Sequence, residues 1–164
     1  MIKDSGNRTV YESGAVRDIQ EDKGRCDLMP IFEVGLTMRD TLLMNLGKSI
    51  VEYKESNGDW MKFRKDLSLV INEFAENEKI SIGDLMLEVS MHFKEGAEKY
   101  GENNWQKGIP THSYIDSAIR HYIKHKSGYK DERHDRAFVW NLLCLMWTII
   151  NKPEMDDIVV YKGE

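Results

Sequence analysis

The sequence predicts an all-α protein, and three observations support this fold class. Apolar residues recur at helical spacing in five successive stretches of the chain. None of these stretches shows the alternation of apolar and polar residues that indicates a half-buried strand. The 164 residues include only three prolines, so little interrupts long helices. We therefore expect one domain, a helical bundle over residues 1–164.

The first two elements are an irregular arm and a helix. Residues 1–27 contain glycines and mixed charges without helical periodicity, so we expect them to be largely extended or irregular. A helix is predicted to begin near Pro30, because proline suits the first turn of a helix. Its apolar stripe runs from Leu36 to Ile50, and turn-forming residues at 56–59 end it.

Three more helices follow a second stripe over 60–77. Ser81 has the position and chemistry of an N-cap for the next helix. A further helix is expected after Pro110 and Ser113 and up to Lys126. The last helix is predicted over 131–150. Its apolar run is too short and too interrupted to cross a bilayer, so we interpret it as a helix of the protein core.

Composition and charge limit the function. A content of 31% charged and 41% hydrophobic residues is ordinary for a globular protein. The net charge of −5 argues against a surface that coats nucleic acid. The polar N-terminus lacks an apolar signal region, so we expect a cytoplasmic protein with no membrane contact. Basic side chains are concentrated in one stretch, a distribution that favours a small anionic ligand: Arg120, His121, Lys124, His125, Lys126 and Lys130.

Glu95 and Glu98 are the first candidates for chemistry. They are three residues apart, so on a helix they project from one face and can share a cation. A solvated face is the simpler explanation of such a pair. However, Leu87 and Met91 continue the side of Glu98, which predicts a helix covered on two faces. Carboxylates on such a helix are unfavourable unless a metal ion compensates them.

Two blocks of sequence carry a resemblance. The first contains Ser13-Gly14-Ala15-Val16-Arg17-Asp18 and Lys23-Gly24-Arg25-Cys26-Asp27-Leu28-Met29-Pro30. The second contains Lys99-Tyr100-Gly101, Asn104-Trp105, Gly108, Tyr114-Ile115-Asp116-Ser117-Ala118-Ile119-Arg120-His121, His134 and Trp140-Asn141. These blocks, residues 12–32 and 87–146, resemble the phage-associated dATP/dGTP diphosphohydrolase family, a branch of the all-helical MazG-like nucleoside triphosphate pyrophosphohydrolases. Residues 36–80 do not match, and we interpret them as an inserted helical hairpin for packing or subunit contact.

The resemblance implies a set of metal ligands. MazG-like enzymes carry Glu-x-x-Glu and then Glu-x-x-Asp on the next helix. Fourteen residues separate Glu98 from Ser113, which places Asp116 in register with the final Asp of that pattern. Ser113 replaces the expected Glu, so a fourth ligand must come from elsewhere or from water. The simpler explanation of Asp116 is an i,i+4 pair with Arg120.

The last helix offers the supplementary ligand. Its first turn contains Asp131, Glu132, His134 and Asp135. Helical phase places Asp131 and Asp135 nearer the inward line of the helix than Glu132. We therefore expect Asp131 as the supplementary ligand, with Asp135 second and Glu132 third. His134-Asp135 also spells the dipeptide of HD-type phosphohydrolases, although that fold needs a wider set of ligands.

The resemblance also implies a set of substrate contacts, to the phosphates, the sugar and the base. Surface charge and core packing are the simpler roles for the same residues, and for Asn141 the alternative to ligand recognition is a hydrogen bond to a neighbouring helix. The predicted contacts are Lys99, Tyr100, Asn104, Trp105, Lys107, Arg120, His121, Lys124, His134 and Asn141, with Arg17, Lys23 and Arg25 from the arm.

The expected function is hydrolysis of dATP or dGTP to the monophosphate and pyrophosphate, and the purine preference is implied by the resemblance alone. Mg²⁺ or Mn²⁺ would neutralise charge on the phosphates, and Glu95 or Glu98 would bind the ion or accept the proton of the attacking water. A homo-oligomer, a dimer or larger, is implied, in the cytoplasm of a host cell if a phage encodes the chain. The alternative is a catalytically silent nucleotide-binding or helical interaction module, which Ser113 favours.

Overall fold

Helices dominate the structure, a computed structural model that describes residues 6–158, and the all-α prediction is confirmed. The described residues form a short hairpin, β1 (Arg8–Val10) and β2 (Val16–Asp18), followed by six α-helices. These are α1 (Ile31–Met38), α2 (Thr41–Glu55), α3 (Trp60–Asn77), α4 (Ile82–Tyr100), α5 (Thr111–Lys126) and α6 (His134–Asn151). Single 3₁₀ turns lie at Cys26–Leu28, Asn104–Lys107 and Pro153–Met155.

The helix predicted to span Leu36 and Ile50 is two helices. α1 ends at Met38, and Arg39 adopts the left-handed conformation with a φ of 54°. Asp40 then caps α2, because its carboxylate accepts the Leu43 N–H at 2.9 Å. The apolar stripe continues across this break, which is why periodicity alone did not locate it.

The α2–α3 hairpin shares one core with the last helices. The ring of Phe74 on α3 lies 6.0 Å from Tyr122 on α5 and 5.0 Å from Phe138 on α6, centre to centre. The Tyr122 hydroxyl donates to Asp40 at 2.7 Å. The hairpin therefore packs as part of the bundle. Its origin as an insertion over 36–80 stays a prediction.

α4 begins as predicted and differs in its coverage. Ser81 is the N-cap, since its hydroxyl accepts the Asp84 N–H at 3.1 Å. Leu87 is 69% exposed and Met91 42% exposed. The prediction that this side of α4 is covered is therefore wrong for a single chain. The implied homo-oligomer stays a prediction.

The last two helices differ from their predicted starts. α5 begins at Thr111, so Ser113 lies inside its first turn. α6 begins at His134 and not at residue 131, because the chain after Gly128 forms a bend before it becomes helical. In the part of the chain that the structure describes, no helix combines the length and apolar character needed to cross a membrane.

Candidate active site

A cavity of about 520 Å³ lies between the N-terminal hairpin and helices α4, α5 and α6. This volume is typical of sites for small molecules, which occupy roughly 300–1,000 Å³. β2 supplies one wall and the 101–105 turn after α4 another. The helices that supply the other walls contain much of the sequence predicted to bind a nucleotide.

The cavity wall is rich in basic side chains, although the chain as a whole is acidic. Its acidic members are fewer: Asp18, Glu102 and Glu132. Burial lowers the pKa of one of the lysines, Lys23, with smaller contributions from neighbouring guanidinium groups. The concentration of positive charge favours an anionic ligand. The basic members are Arg17, Lys23, Lys94, Arg120 and Lys124.

Aromatic rings form another part of the wall. The ring of Phe93 lies 5.9 Å from that of Trp105 and 5.9 Å from that of Trp140. Tyr100 completes the aromatic set. Flat faces of this kind bind the base of a nucleotide by stacking. The prediction that Trp105 and Tyr100 belong to the site agrees with their positions in the cavity wall.

Two buried polar atoms in this region have no hydrogen-bond partner among the described residues. They are the indole Nε1 of Trp140 and the amide Oε1 of Gln20, and both residues line the cavity. A buried donor and a buried acceptor without partners are unfavourable, so each is a plausible contact for a polar ligand. Gln20 was not among the predicted contacts, because a glutamine in an irregular arm has no distinguishing sequence pattern.

Arg17 joins the hairpin to α6. Its guanidinium donates to the amide oxygen of Asn141 at 3.1 Å. Its carbon Cζ lies 5.5 Å from the ring centre of Tyr114 and 5.9 Å from that of Trp140. The Asn141 amide group donates to the Ala137 carbonyl oxygen at 2.7 Å. Both polar atoms of Asn141 therefore have protein partners, which lie on its own helix and on the N-terminal hairpin and not on a neighbouring helix.

Asn104 holds the hairpin against the turn after α4. Its amide oxygen accepts the Val16 N–H at 2.8 Å, and its amide nitrogen donates to the Val16 carbonyl oxygen at 2.7 Å. The Asn104 side chain thus makes the pair of hydrogen bonds that the backbone of a neighbouring strand would make, and it positions Arg17 at the cavity. Its predicted contact with the sugar or phosphates stays a prediction.

The carboxylate of Asp116 accepts hydrogen bonds from protein groups. Its Oδ1 accepts from Arg120 at 2.6 Å and from the Cys26 N–H at 2.6 Å. Arg120 also donates to the Gly24 carbonyl oxygen. The i,i+4 pair weighed as the simpler role of Asp116 is therefore present. Asp116 and Arg120 together anchor the segment that precedes α1.

The other predicted metal ligands lie apart from the cavity wall. The side of α4 that lines the cavity carries Phe93, Gly96, Ala97 and Tyr100, whereas Glu95 and Glu98 are not among the lining residues. Glu98 is exposed. The Asp135 carboxylate accepts two bonds from Arg133, at 3.0 and 2.9 Å. In the part of the chain that the structure describes, no three of these predicted carboxylates bring ligand atoms within 4.8 Å of one another, so in this arrangement the predicted set does not fit a Mg²⁺ site. Their ligand roles stay predictions.

One group of potential ligands does converge. Within residues 6–158, the group of three whose ligand atoms all lie within 4.8 Å of one another is His121, Glu132 and His134. Burial lowers the pKa of His121 well below its usual value, and nearby His134 adds to this effect. Burial raises the pKa of Glu132. Glu132 was the third choice among the predicted ligands of this segment, because the helical phase of α6 was extended back to residue 131.

The remaining predicted contacts divide into two groups. Lys23, Arg120, His121 and Lys124 line the cavity, and their predicted substrate contacts stay predictions. Lys99, Lys107, Arg25 and His134 are not among the lining residues. Lys99 lies against the Tyr100 ring at 5.1 Å, and Arg25 pairs with Asp27 at 2.7 Å. Their substrate contacts stay predictions.

Comparison with protein families identifies the lineage. Residues 77–158, half of the chain, match the family model described as dATP/dGTP diphosphohydrolase, N-terminal. The chain belongs to this dATP/dGTP diphosphohydrolase family. The matched segment contains α4, α5 and α6, which supply most of the cavity wall of this family member, whereas Arg17 and Lys23 lie outside it. No curated protein and no solved structure matches the chain.

Proposed function

We propose that this chain hydrolyses dATP and dGTP to the corresponding monophosphate and pyrophosphate, and that the reaction takes place in the cavity described above. The observation that carries the proposal is the pairing of basic and aromatic side chains around one 520 Å³ cavity. Membership of the dATP/dGTP diphosphohydrolase family supplies the reaction class. A cavity that accepts both a flat ring and several negative charges suits a nucleotide better than a simple metabolite.

The basic side chains would bind the triphosphate. Lys23 and Lys124 both lie close enough to Glu132 to lower its pKa through their positive charge, so the three side chains lie in one region of the cavity wall. Arg120, held by Asp116, is a further cation of that wall. Charged donors form the strongest hydrogen bonds to phosphate oxygens, and an anchored guanidinium keeps its geometry. These residues would orient the phosphates so that water attacks one phosphorus atom of the α–β anhydride, whose P–O bond breaks to release monophosphate and pyrophosphate.

The aromatic side chains would bind the base. Phe93, Trp105 and Trp140 offer ring faces, and the partnerless Trp140 Nε1 and Gln20 Oε1 offer one donor and one acceptor. A purine ring presents both an acceptor nitrogen and, in adenine and guanine, an exocyclic amino group. Cytosine presents the same two groups, so the proposed preference for purines rests on the family description alone.

A divalent ion would neutralise charge on the phosphates and activate the attacking water when bound. Dependence on Mg²⁺ or Mn²⁺, and the roles predicted for Glu95 and Glu98, stay predictions. The binding and orientation of the triphosphate by the residues named above do not depend on which side chains hold the ion.

Product analysis tests the proposal. The purified chain is incubated with each of eight ribo- and deoxynucleoside triphosphates, with Mg²⁺, with Mn²⁺ and with a chelator. Monophosphate and pyrophosphate from dATP and dGTP support the proposal. Orthophosphate, or a nucleoside plus triphosphate as an HD-type enzyme releases, contradicts it. Nucleotide binding without turnover under every condition favours the catalytically silent module.

A further inference from the structure

A cluster of two histidines and a glutamate lies at the edge of the cavity, and Asp131, one of the predicted Mg²⁺ ligands, contacts it. The Nδ1 atoms of His121 and His134 are 2.9 Å apart, and the His121 Nδ1 lies 3.8 Å from Glu132 Oε1. We propose that His121, Glu132 and His134 bind one divalent transition-metal ion. Its role toward the triphosphate rests on the proposed function, whereas the binding itself does not.

The spacing of the donor atoms suits a single ion. Nitrogen ligands lie about 2.1 Å from such an ion, so two of them at a right angle are about 3.0 Å apart. The separation of 2.9 Å between the two Nδ1 atoms agrees with this geometry. Glu132 Oε1, at 3.8 Å from the His121 Nδ1, reaches a third position with a small rotation of its side chain. A set of three protein ligands leaves further positions open for water or a phosphate oxygen.

Asp131 orients one of the ligands. Its Oδ1 lies 2.7 Å from the Nε2 atom of His134. A carboxylate accepts, so the Nε2 of His134 carries the proton and its Nδ1 presents a lone pair toward His121. A carboxylate on the far nitrogen of a histidine is the usual arrangement behind a metal ligand, and it strengthens the imidazole as a donor. The residue expected to be a ligand thus supports one.

The ion replaces a proton between the two rings. Without a metal, one Nδ1–H of the histidine pair donates to the other Nδ1, and the His134 tautomer assigns that proton to His121. In the bound form, His121 carries its proton on Nε2 and both Nδ1 atoms are ligands. His134 is 1% exposed, so a buried and preformed pair of nitrogens is held without large rearrangement.

The donor set selects the metal. Two imidazoles and one carboxylate suit Mn²⁺, Fe²⁺, Co²⁺, Ni²⁺ or Zn²⁺, whereas Mg²⁺ prefers oxygen ligands. His121 and Glu132 line the cavity together with Lys23, Arg120 and Lys124. The open coordination positions therefore face the region that the phosphates would occupy. An ion bound at this site would bring a divalent positive charge to the cavity, which the predicted carboxylate ligands are not arranged to do.

Metal titration tests the site without reference to activity. The full chain is stripped with a chelator at pH 8 and titrated with Co²⁺ by visible absorption and with Zn²⁺ by calorimetry. We expect one ion per chain. Loss of an outer partner weakens metal binding by about 10–100-fold, so Asp131→Asn should weaken it by about 10-fold and Glu132→Gln or His121→Gln by at least ~100-fold. His112→Gln removes a histidine outside the cluster and should bind normally.

The outcomes separate the metal site from the proposed function. Circular dichroism first confirms that each variant is folded, and Glu132→Gln preserves the size of the side chain. Absence of stoichiometric binding by the wild type, or binding by Glu132→Gln and His121→Gln that is as tight as that of the wild type, overturns the metal site even if pyrophosphate is released from dGTP. Specific binding that these variants abolish supports the site even if no nucleotide is hydrolysed.

Discussion

The guanidinium of Arg17 and the amide of Asn141 are joined by a hydrogen bond of 3.1 Å across 124 positions of the chain. This bond ties the N-terminal hairpin to the centre of α6 and closes one side of the cavity. Asn141 is 1% exposed, so its polar atoms depend on protein partners. The arrangement of the cavity wall therefore depends on Asn141, the amide side chain that interrupts the apolar run of the last helix.

Asn141→Ala should destabilise the protein. The substitution leaves Arg17 without its partner and removes a buried bond to Ala137, for a loss of about 1–3 kcal/mol in the free energy of unfolding. Urea denaturation measures this loss. Asn151→Ala is the matched control, because Asn151 makes the same kind of i−4 bond, to the Trp147 carbonyl oxygen, at an exposed position. Equal effects of the two substitutions would contradict the role of Asn141.

Asp116→Asn should act on stability and not on metal affinity. The Asp116–Arg120 pair is buried, and removing one charge of such a pair costs about 3 kcal/mol or more. Asp66→Asn, which breaks an exposed pair with Lys62, should cost less than about 1 kcal/mol. Chemical denaturation and Co²⁺ titration are performed on each variant. Loss of metal binding with unchanged stability would restore Asp116 as a ligand.

His92 should make the protein sensitive to acid. Burial lowers the pKa of His92 to about 4, and the charges of Arg17 and Arg136 add to this. Below its unfolded value near 6.5, the unfolded chain binds a proton that the folded chain refuses, so stability falls as the pH drops from 6.5 to about 4. The contribution is roughly 3 kcal/mol. His92→Gln should remove it, as unfolding measured at several pH values would reveal.

His112 provides the opposite sign for comparison. A hydrogen bond to Asp157 raises the pKa of His112 above its usual value. Its stabilisation is therefore fully present below pH 6.5 and is lost as the pH rises through the raised value. His112→Gln should lower stability more at pH 5.5 than at pH 8.5. The same pH profile for His92→Gln and His112→Gln would contradict both assignments.

Much of the fold follows from periodicity, because long helices with one apolar face leave a clear pattern. The break between α1 and α2 at Arg39 could not be predicted in this way, because the apolar stripe continues through it. The N-cap formed by Asp40 is recognisable only in the folded structure. Residues 1–27 were predicted to be largely extended or irregular, and the two strands found there have only three residues each, too few to show an alternating pattern. The position of this hairpin depends on Asn104, a partner 88 residues away that no local pattern indicates.

The candidate site was predictable in part for the same reason. Residues near one another in sequence, such as Arg120, His121 and Lys124, lie on one face of α5 and line the cavity together. Glu132 was ranked low because it precedes α6, where helical phase does not apply. The pairing of Asp116 with Arg120 was visible as an i,i+4 spacing, but its bond to the Cys26 N–H depends on tertiary structure.

The two candidate sets of metal ligands predict different effects of mutation on turnover, because one contains Glu98 and the other contains Glu132. The resemblance to MazG-like enzymes predicts that Glu98→Gln lowers turnover at least ~100-fold, about 2.7 kcal/mol of transition-state stabilisation. The cavity wall contains Glu132 and not Glu98, so the proposed metal site predicts that Glu132→Gln has the larger effect. Steady-state pyrophosphate release by the two variants compares these predictions directly. Near-normal turnover by Glu132→Gln would favour the ligands predicted from sequence.

The central claim is that the triphosphate binds in the cavity, and one pair of lysines tests it most directly. Lys124 lines the cavity, whereas Lys126 is exposed two residues later on the same helix. We measure kcat/KM for pyrophosphate release from dGTP by the wild type, Lys124→Gln and Lys126→Gln. Loss of a charged contact to phosphate predicts a fall of at least ~10-fold for Lys124→Gln, and no change for Lys126→Gln. Equal values for the two variants would contradict the claim.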